Sequence, residues 1–147
     1  MPTVTVRASG NTLSGYNFTA GGSGQSWTVQ SDSGTNDAVS ISKSGPVNIS
    51  SSSRTPGQSF TITPQSSTGN YTVSLSQSVT TGGGKGGGSS TTTYTAQIQG
   101  NVAAAPTPSY SLGTVSNMNE GANQTISVTT SNVSNGTTLY FSIDGSG

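Results

Sequence analysis

The sequence predicts an all-β protein in which residues 1–100 close as an antiparallel β-sandwich. Three observations carry this. Apolar residues alternate with polar ones in short runs, the period-2 signature of strands with one buried face. Turn-forming Gly, Asn, Ser and Pro separate the runs at short intervals. No stretch repeats apolar residues at a helical period of about 3.6, and Ser, Thr and Gly, about half of the chain, are weak helix formers.

Taken in order, Val4 and Val6 alternate in TVTVR, and Tyr16, Phe18 and Ala20 in YNFTA. Trp27 and Val29 follow in SWTVQ, then Val39 and Ile41 in AVSIS. Val47 and Ile49 lie in PVNIS, Phe60 and Ile62 in SFTIT. Tyr71, Val73 and Leu75 make the clearest run, YTVSLS, and Tyr94, Ala96 and Ile98 close the set in TYTAQIQ. Short strands with turn signals between them are the pattern of an Ig-like sandwich. The inward positions Trp27, Val29, Tyr71, Val73 and Leu75 are the expected core. The outward positions are mostly Thr, Ser, Asn and Gln, a face that is solvated or meets another subunit. Strand edges with so few charges are poorly guarded against pairing, and burial in an assembly answers that hazard.

NVAAAPTPSY breaks the composition, and its two prolines favour an extended linker over 101–109. Alternation resumes with Tyr110 and Leu112, then Ile126 and Val128, then Leu139, Phe141 and Ile143, with Asn135-Gly136 as a turn signal. Two or three strands cannot bury a face by themselves. Residues 110–147 therefore read as the opening of a second β-sandwich, and the natural protein is expected to run on past Gly147.

Charge narrows the function. Four cations and four acids give a net charge of zero, and only 5% of residues are charged. The cations Arg7, Lys43, Arg54 and Lys85 are scattered, so neither nucleic acid nor an anionic membrane is an expected partner, because both require a basic patch. Apolar residues amount to 27%, which limits the core to a thin one. There is no Cys and no His, so thiol chemistry and imidazole acid–base chemistry have no material. No run of apolar residues is long enough to span a bilayer, and the N-terminus lacks the apolar core of a secretory signal.

Each conspicuous motif has a structural explanation. TTGGGKGGGSSTTTY resembles a phosphate loop only superficially. Lys85 is followed by Gly86 where a phosphate loop needs Ser or Thr, and the next element is a strand instead of a helix. A hairpin loop joining YTVSLSQSV to TYTAQIQ is the expectation. SDSGTND holds Asp32 and Asp37, and Glu120 and Asp144 flank the last runs. These are the calcium candidates, but calcium takes roughly six to eight oxygens, so turn chemistry is preferred and no metal or other cofactor is assigned. Four acids with no spacing signature do not make a glycosidase pair, and the chain is read as non-enzymatic. Trp27 could stack a sugar, but its register with Val29 places it in the core. The sequons at Asn17, Asn48, Asn70, Asn123, Asn132 and Asn135 follow from a composition rich in Asn, Ser and Thr.

The segment YSLGTVSNMNEGANQTISVTTSNVSNGTTLYFSID, Tyr110 to Asp144, resembles the start of a Calx-beta-like repeat. Its Asn-Glu-Gly precedes an alternating strand, and NVSNGTTLY leads into the next. Such repeats look common in tail-fibre-like structural proteins of marine bacteriophages, cyanophages above all. Of the family's calcium ligands, the resemblance carries over Glu120 at most. It implies a phage virion protein, located on the particle and assembled in the host cytoplasm. Residues 1–100 would anchor a tail fibre or similar appendage; the alternatives are a capsid decoration protein and a carbohydrate-binding or adhesin module of a bacterial surface protein. The expected partners are other virion proteins of tail or capsid, further copies of the chain in a trimer, and a host surface glycan.

Overall fold

The computed structural model describes residues 1–142, and all regular structure among them is β-strand. The chain divides into two compact units, Met1–Ala105 and Pro106–Gly147. The first holds β1 (Thr3–Val6), β2 (Thr12–Thr19), β3 (Gln25–Ser31), β4 (Val39–Ser44), β5 (Val47–Ile49), β6 (Ser53–Arg54), β7 (Ser59–Pro64), β8 (Gly69–Thr81) and β9 (Ser90–Ala103). Each alternating run of residues 1–100 falls in one of these strands, except that Ala20 lies in the turn just after β2. β6, two polar residues long, is the strand that no hydrophobic pattern marks.

The strands form two sheets, ordered β1-β3-β7-β5 and β2-β9-β8-β4-β6. Val4, Val6, Trp27, Val29, Val47, Phe60 and Ile62 come from the first sheet. Phe18, Val39, Ile41, Tyr71, Val73, Leu75, Ala96, Ile98 and Val102 come from the second. All join one buried cluster, a β-sandwich-like arrangement. Trp27, Val29, Tyr71, Val73 and Leu75 are each at most 4% exposed. Alternation is what allows a 27% apolar chain to do this: nearly every large apolar side chain of residues 1–105 lies on an inward position.

The sheets are mixed, which corrects the expectation of an antiparallel sandwich. β1 runs parallel to β3, with Val4 beside Val29, and β2 runs parallel to β9, with Phe18 beside Val102. The chain begins on the edge of one sheet and crosses to the edge of the other after Arg7, whose amide donates to the Thr95 carbonyl at 3.0 Å. Both edge strands meet partners distant in sequence, so no hairpin dictates antiparallel pairing. Side-chain alternation is the same in either direction.

Tyr71 organises the second sheet. It stands directly opposite Gly100 in the β8–β9 ladder, and a Cβ at Gly100 would lie 2.6 Å from Tyr71 Cε1. The ring takes the room that the missing side chain leaves. Phe18 packs on it with centroids 5.6 Å apart, and Tyr16 lies 6.0 Å beyond Phe18.

The first unit extends past residue 100. β9 continues through Asn101, Val102 and Ala103, and Val102 is buried. The connection between units is therefore Ala104–Pro108, not 101–109. The small residues of NVAAAP conceal one more inward position, Val102, just before the prolines.

In the second unit, β10 (Ser109–Leu112) and β11 (Val128–Ser131) pair antiparallel, Tyr110 opposite Thr130 and Leu112 opposite Val128. Asn135 and Gly136 form the expected turn, with Gly136 at φ 86° and the Thr137 amide donating to the Ser134 carbonyl at 3.2 Å. Two expectations are corrected. Ile126 precedes β11 instead of lying in it, and Leu139 to Ser142 are not in a strand, although they alternate. Strand structure needs a ladder partner, and alternation without one leaves the backbone unpaired. Ile143 and Asp144 lie outside the described residues. None of residues 106–142 is buried.

Candidate binding and assembly surfaces

The acidic loop of residues 31–37 is a structural turn. Asp32 faces Arg7, with Oδ2 3.4 Å from Nε, an ion pair about half exposed on both sides. Asp37 accepts from the Thr35 hydroxyl at 2.8 Å. The Ser33 amide donates to Ser31 Oγ, and the Thr35 amide to Ser33 Oγ. Such side-chain-to-backbone bonds are how Ser and Thr hold turns. The two carboxylates thus serve different neighbours. Glu120 belongs to the second unit, beside a turn at Gly121 with φ 83°. Among the described residues no three acidic, His or Cys side chains gather as a metal site would require.

Gln77 ties this loop to the sheet. It is the one buried polar side chain among the described residues, 1% exposed. Its Nε2 donates to the Asp37 carbonyl at 2.7 Å, and its Oε1 accepts from the Ser31 hydroxyl. A polar side chain, it stands outside the hydrophobic pattern that marks the core. The signal was there: Tyr71, Val73, Leu75, Gln77 and Val79 form one alternating series, so Gln77 has to point inward.

The Gly-rich segment is the tip of a long hairpin. β8 and β9 stay paired from Gly69 opposite Val102 to Thr81 opposite Ser90, and Gly82 to Ser89 close the turn. Lys85 is exposed at the tip, and the element that follows is a strand. A phosphate cradle needs a helix N-terminus at that point.

Two further surfaces offer room for a ligand or partner. On the five-stranded sheet, Ser74, Ser76, Thr95 and Gln97 with Asn11 and Thr12 line a shallow groove of about 290 Å³. Its polar side chains are hydroxyls and amides, without charge, and Gly10, Leu75 and Ala96 complete the lining. In the second unit, Tyr110, Leu112, Val128, Leu139, Tyr140 and Phe141 line a cavity of about 540 Å³. A neighbouring hollow shares Leu112 and Phe141 and adds Val115, Met118 and Ile126. Tyr140 is 93% exposed and Phe141 64%. Because Leu112 and Phe141 line both hollows, their apolar surface is continuous.

Trp27, buried in the first unit, is not presented to a sugar. The exposed aromatic rings are Tyr16, Tyr110, Tyr140 and Phe141. Compared with known proteins, the chain matches no family model, no curated protein and no solved structure.

Proposed function

We propose that the chain is a non-enzymatic structural protein of a bacteriophage particle, the N-terminal anchoring part of a tail fibre or similar appendage. The observation that carries this reading is the second unit. It buries none of its residues among 106–142, yet it concentrates Tyr110, Leu112, Val115, Met118, Val128, Tyr140 and Phe141 on its surface. A ribbon of two strands is marginal alone, so a unit of this composition acquires its stability on assembly. The Calx-beta-like resemblance of Tyr110 to Asp144 supplies the particle class. The first unit, with its own core, is the anchor; its sheet surfaces, on whose strands Lys43 and Arg54 are the only charges, suit packing against other virion proteins or further copies, for which a trimer is the default by resemblance to phage fibres.

A capsid decoration protein would use the same surfaces at a different place on the particle. A carbohydrate-binding module is the second reading, favoured by the uncharged groove of Ser74, Ser76, Thr95 and Gln97. Incubating the purified chain with fibre-less particles, and separately with a panel of neutral glycans, separates them. Saturable co-sedimentation with particles supports the structural role. Glycan binding without particle binding supports the second reading.

A further inference from the structure

We infer that the outer half of the β8–β9 hairpin is a pairing arm, and that its Ser90–Thr93 segment lies antiparallel to the same segment of a second copy across a two-fold axis. The inference rests on the assembly role proposed above and names one contact within it.

The arm is defined by where its neighbours stop. β4 accompanies β8 only as far as Ser40 opposite Ser76. β2 joins β9 from Thr12 opposite Gln97 onward, and the bridge from Arg7 reaches Thr95. Beyond those points Gln77–Thr81 and Ser90–Tyr94 pair only with each other. In an antiparallel pair every second residue turns its N–H and C=O away from its partner, so this ribbon presents two rows of unpaired backbone groups.

Proteins guard such rows with charge, proline, bulges or brevity. The other edges in Met1–Ala105 have such guards. β5 and β6 are three and two residues long, β1 is bounded by Pro2 and the charged Arg7, the part of β4 beyond β6 carries Lys43, and β2 has a register shift between Ser14 and Asn17. The arm has none among the described residues: between Arg54 and Glu120 the one charge is Lys85, at the tip, and no proline falls between Pro64 and Pro106.

The β9 side is the open one. The β8 side borders the 31–37 loop through the bond from Gln77 to Asp37. Ser90–Thr93 are all exposed, and Thr91, Thr92 and Thr93 are β-branched residues that favour strands. The arm already carries cross-strand hydroxyl contacts, Thr80 to Thr91 at 2.9 Å and Thr81 to Ser90 at 3.1 Å, and Thr–Thr contacts of this kind support pairing across strands. A two-fold axis sets residues of one segment against the same segment, so any charge there would face its like. Neutrality is the condition for self-pairing, and this segment meets it. Two-fold contacts are also the commonest in homo-oligomers. A threefold arrangement, if the appendage has one, uses a different surface.

The test uses the full chain. Sedimentation across a range of concentrations should show a monomer passing to a dimer, with amide exchange at Ser90–Thr93 slowing as the dimer forms. The double variant Thr91→Lys, Thr93→Lys should stay monomeric with an unchanged melting temperature. The chain has no Cys, so single thiols report cleanly: Thr92→Cys should oxidise to a covalent dimer and Ser67→Cys should not. A chain that stays monomeric with fast-exchanging arm amides overturns the inference, as does a dimer that the lysine variant leaves intact. The lysine variant also separates the two proposals. If it binds particles as the parent chain does, the anchoring role stands without the arm; if neither chain binds particles, the anchoring role fails whatever the arm does.

Discussion

The hydroxyl of Tyr71, on β8, donates to the main-chain carbonyl of Tyr16, on β2, at 2.8 Å. These strands are not neighbours; β9 lies between them. The bond crosses β9 at Gly100, where no side chain stands in the way, and so fastens an edge strand to the middle of the sheet.

Burial pushes the Tyr71 phenol from 10.0 up to about 12. The folded state therefore holds this proton more tightly than the unfolded chain. Its contribution to stability is complete below pH 10 and is lost as pH rises from about 10 to about 12. Alkaline denaturation monitored by circular dichroism should show this loss. Tyr71→Phe should remove that part of the pH dependence and cost about 1 kcal/mol at neutral pH, the worth of one hydrogen bond.

Gln77→Ala should destabilise the first unit by about 1–3 kcal/mol, because it leaves the Asp37 carbonyl without its donor as well as emptying a buried site. The denaturant midpoint reads this. Amide exchange should accelerate in residues 31–37 first, since Gln77 is what joins that loop to β8.

Trp27→Ala should cost about 3–5 kcal/mol, the range for large aromatic truncations in a core. Thermal melting checks it. A variant that melts like the parent but loses affinity for a glycan would assign Trp27 to a binding surface instead.

Limited proteolysis should cut within Ala104–Pro108 and at the 82–89 tip, leaving Val102 in a cooperatively folded fragment. Early cutting at 101–103 would contradict the ladder that pairs Val102 with Gly69 and Phe18.

How much of this was legible in the sequence follows from what alternation encodes. Alternation reports which side chains turn inward, so Trp27, Val29, Tyr71, Val73 and Leu75 could be placed in a core from their spacing. It is silent on strand direction, and the parallel pairs β1–β3 and β2–β9 could not be foreseen. β6, Ser53–Arg54, has no apolar residue to announce it. Leu139 and Phe141 show the converse: their spacing suits a strand, but pairing is a property of two segments, and the described residues give them no partner. Gln77 escaped notice because a polar residue on an inward position looks like any other polar residue until the register is counted through it. Of the candidate surfaces, Tyr110, Leu112, Ile126, Val128, Leu139 and Phe141 were visible as strand candidates and Val115 and Met118 were not; the exposure of all of them depends on tertiary packing that single-chain periodicity does not contain.

Anchoring on a phage particle through the first unit is the role proposed for this chain. Its most direct test is co-sedimentation of the full chain, and of its 1–105 fragment, with fibre-less particles. Saturable binding of both, with equal affinity, is the predicted result. Particles that sediment without either, at chain concentrations where the first unit is folded, would contradict it.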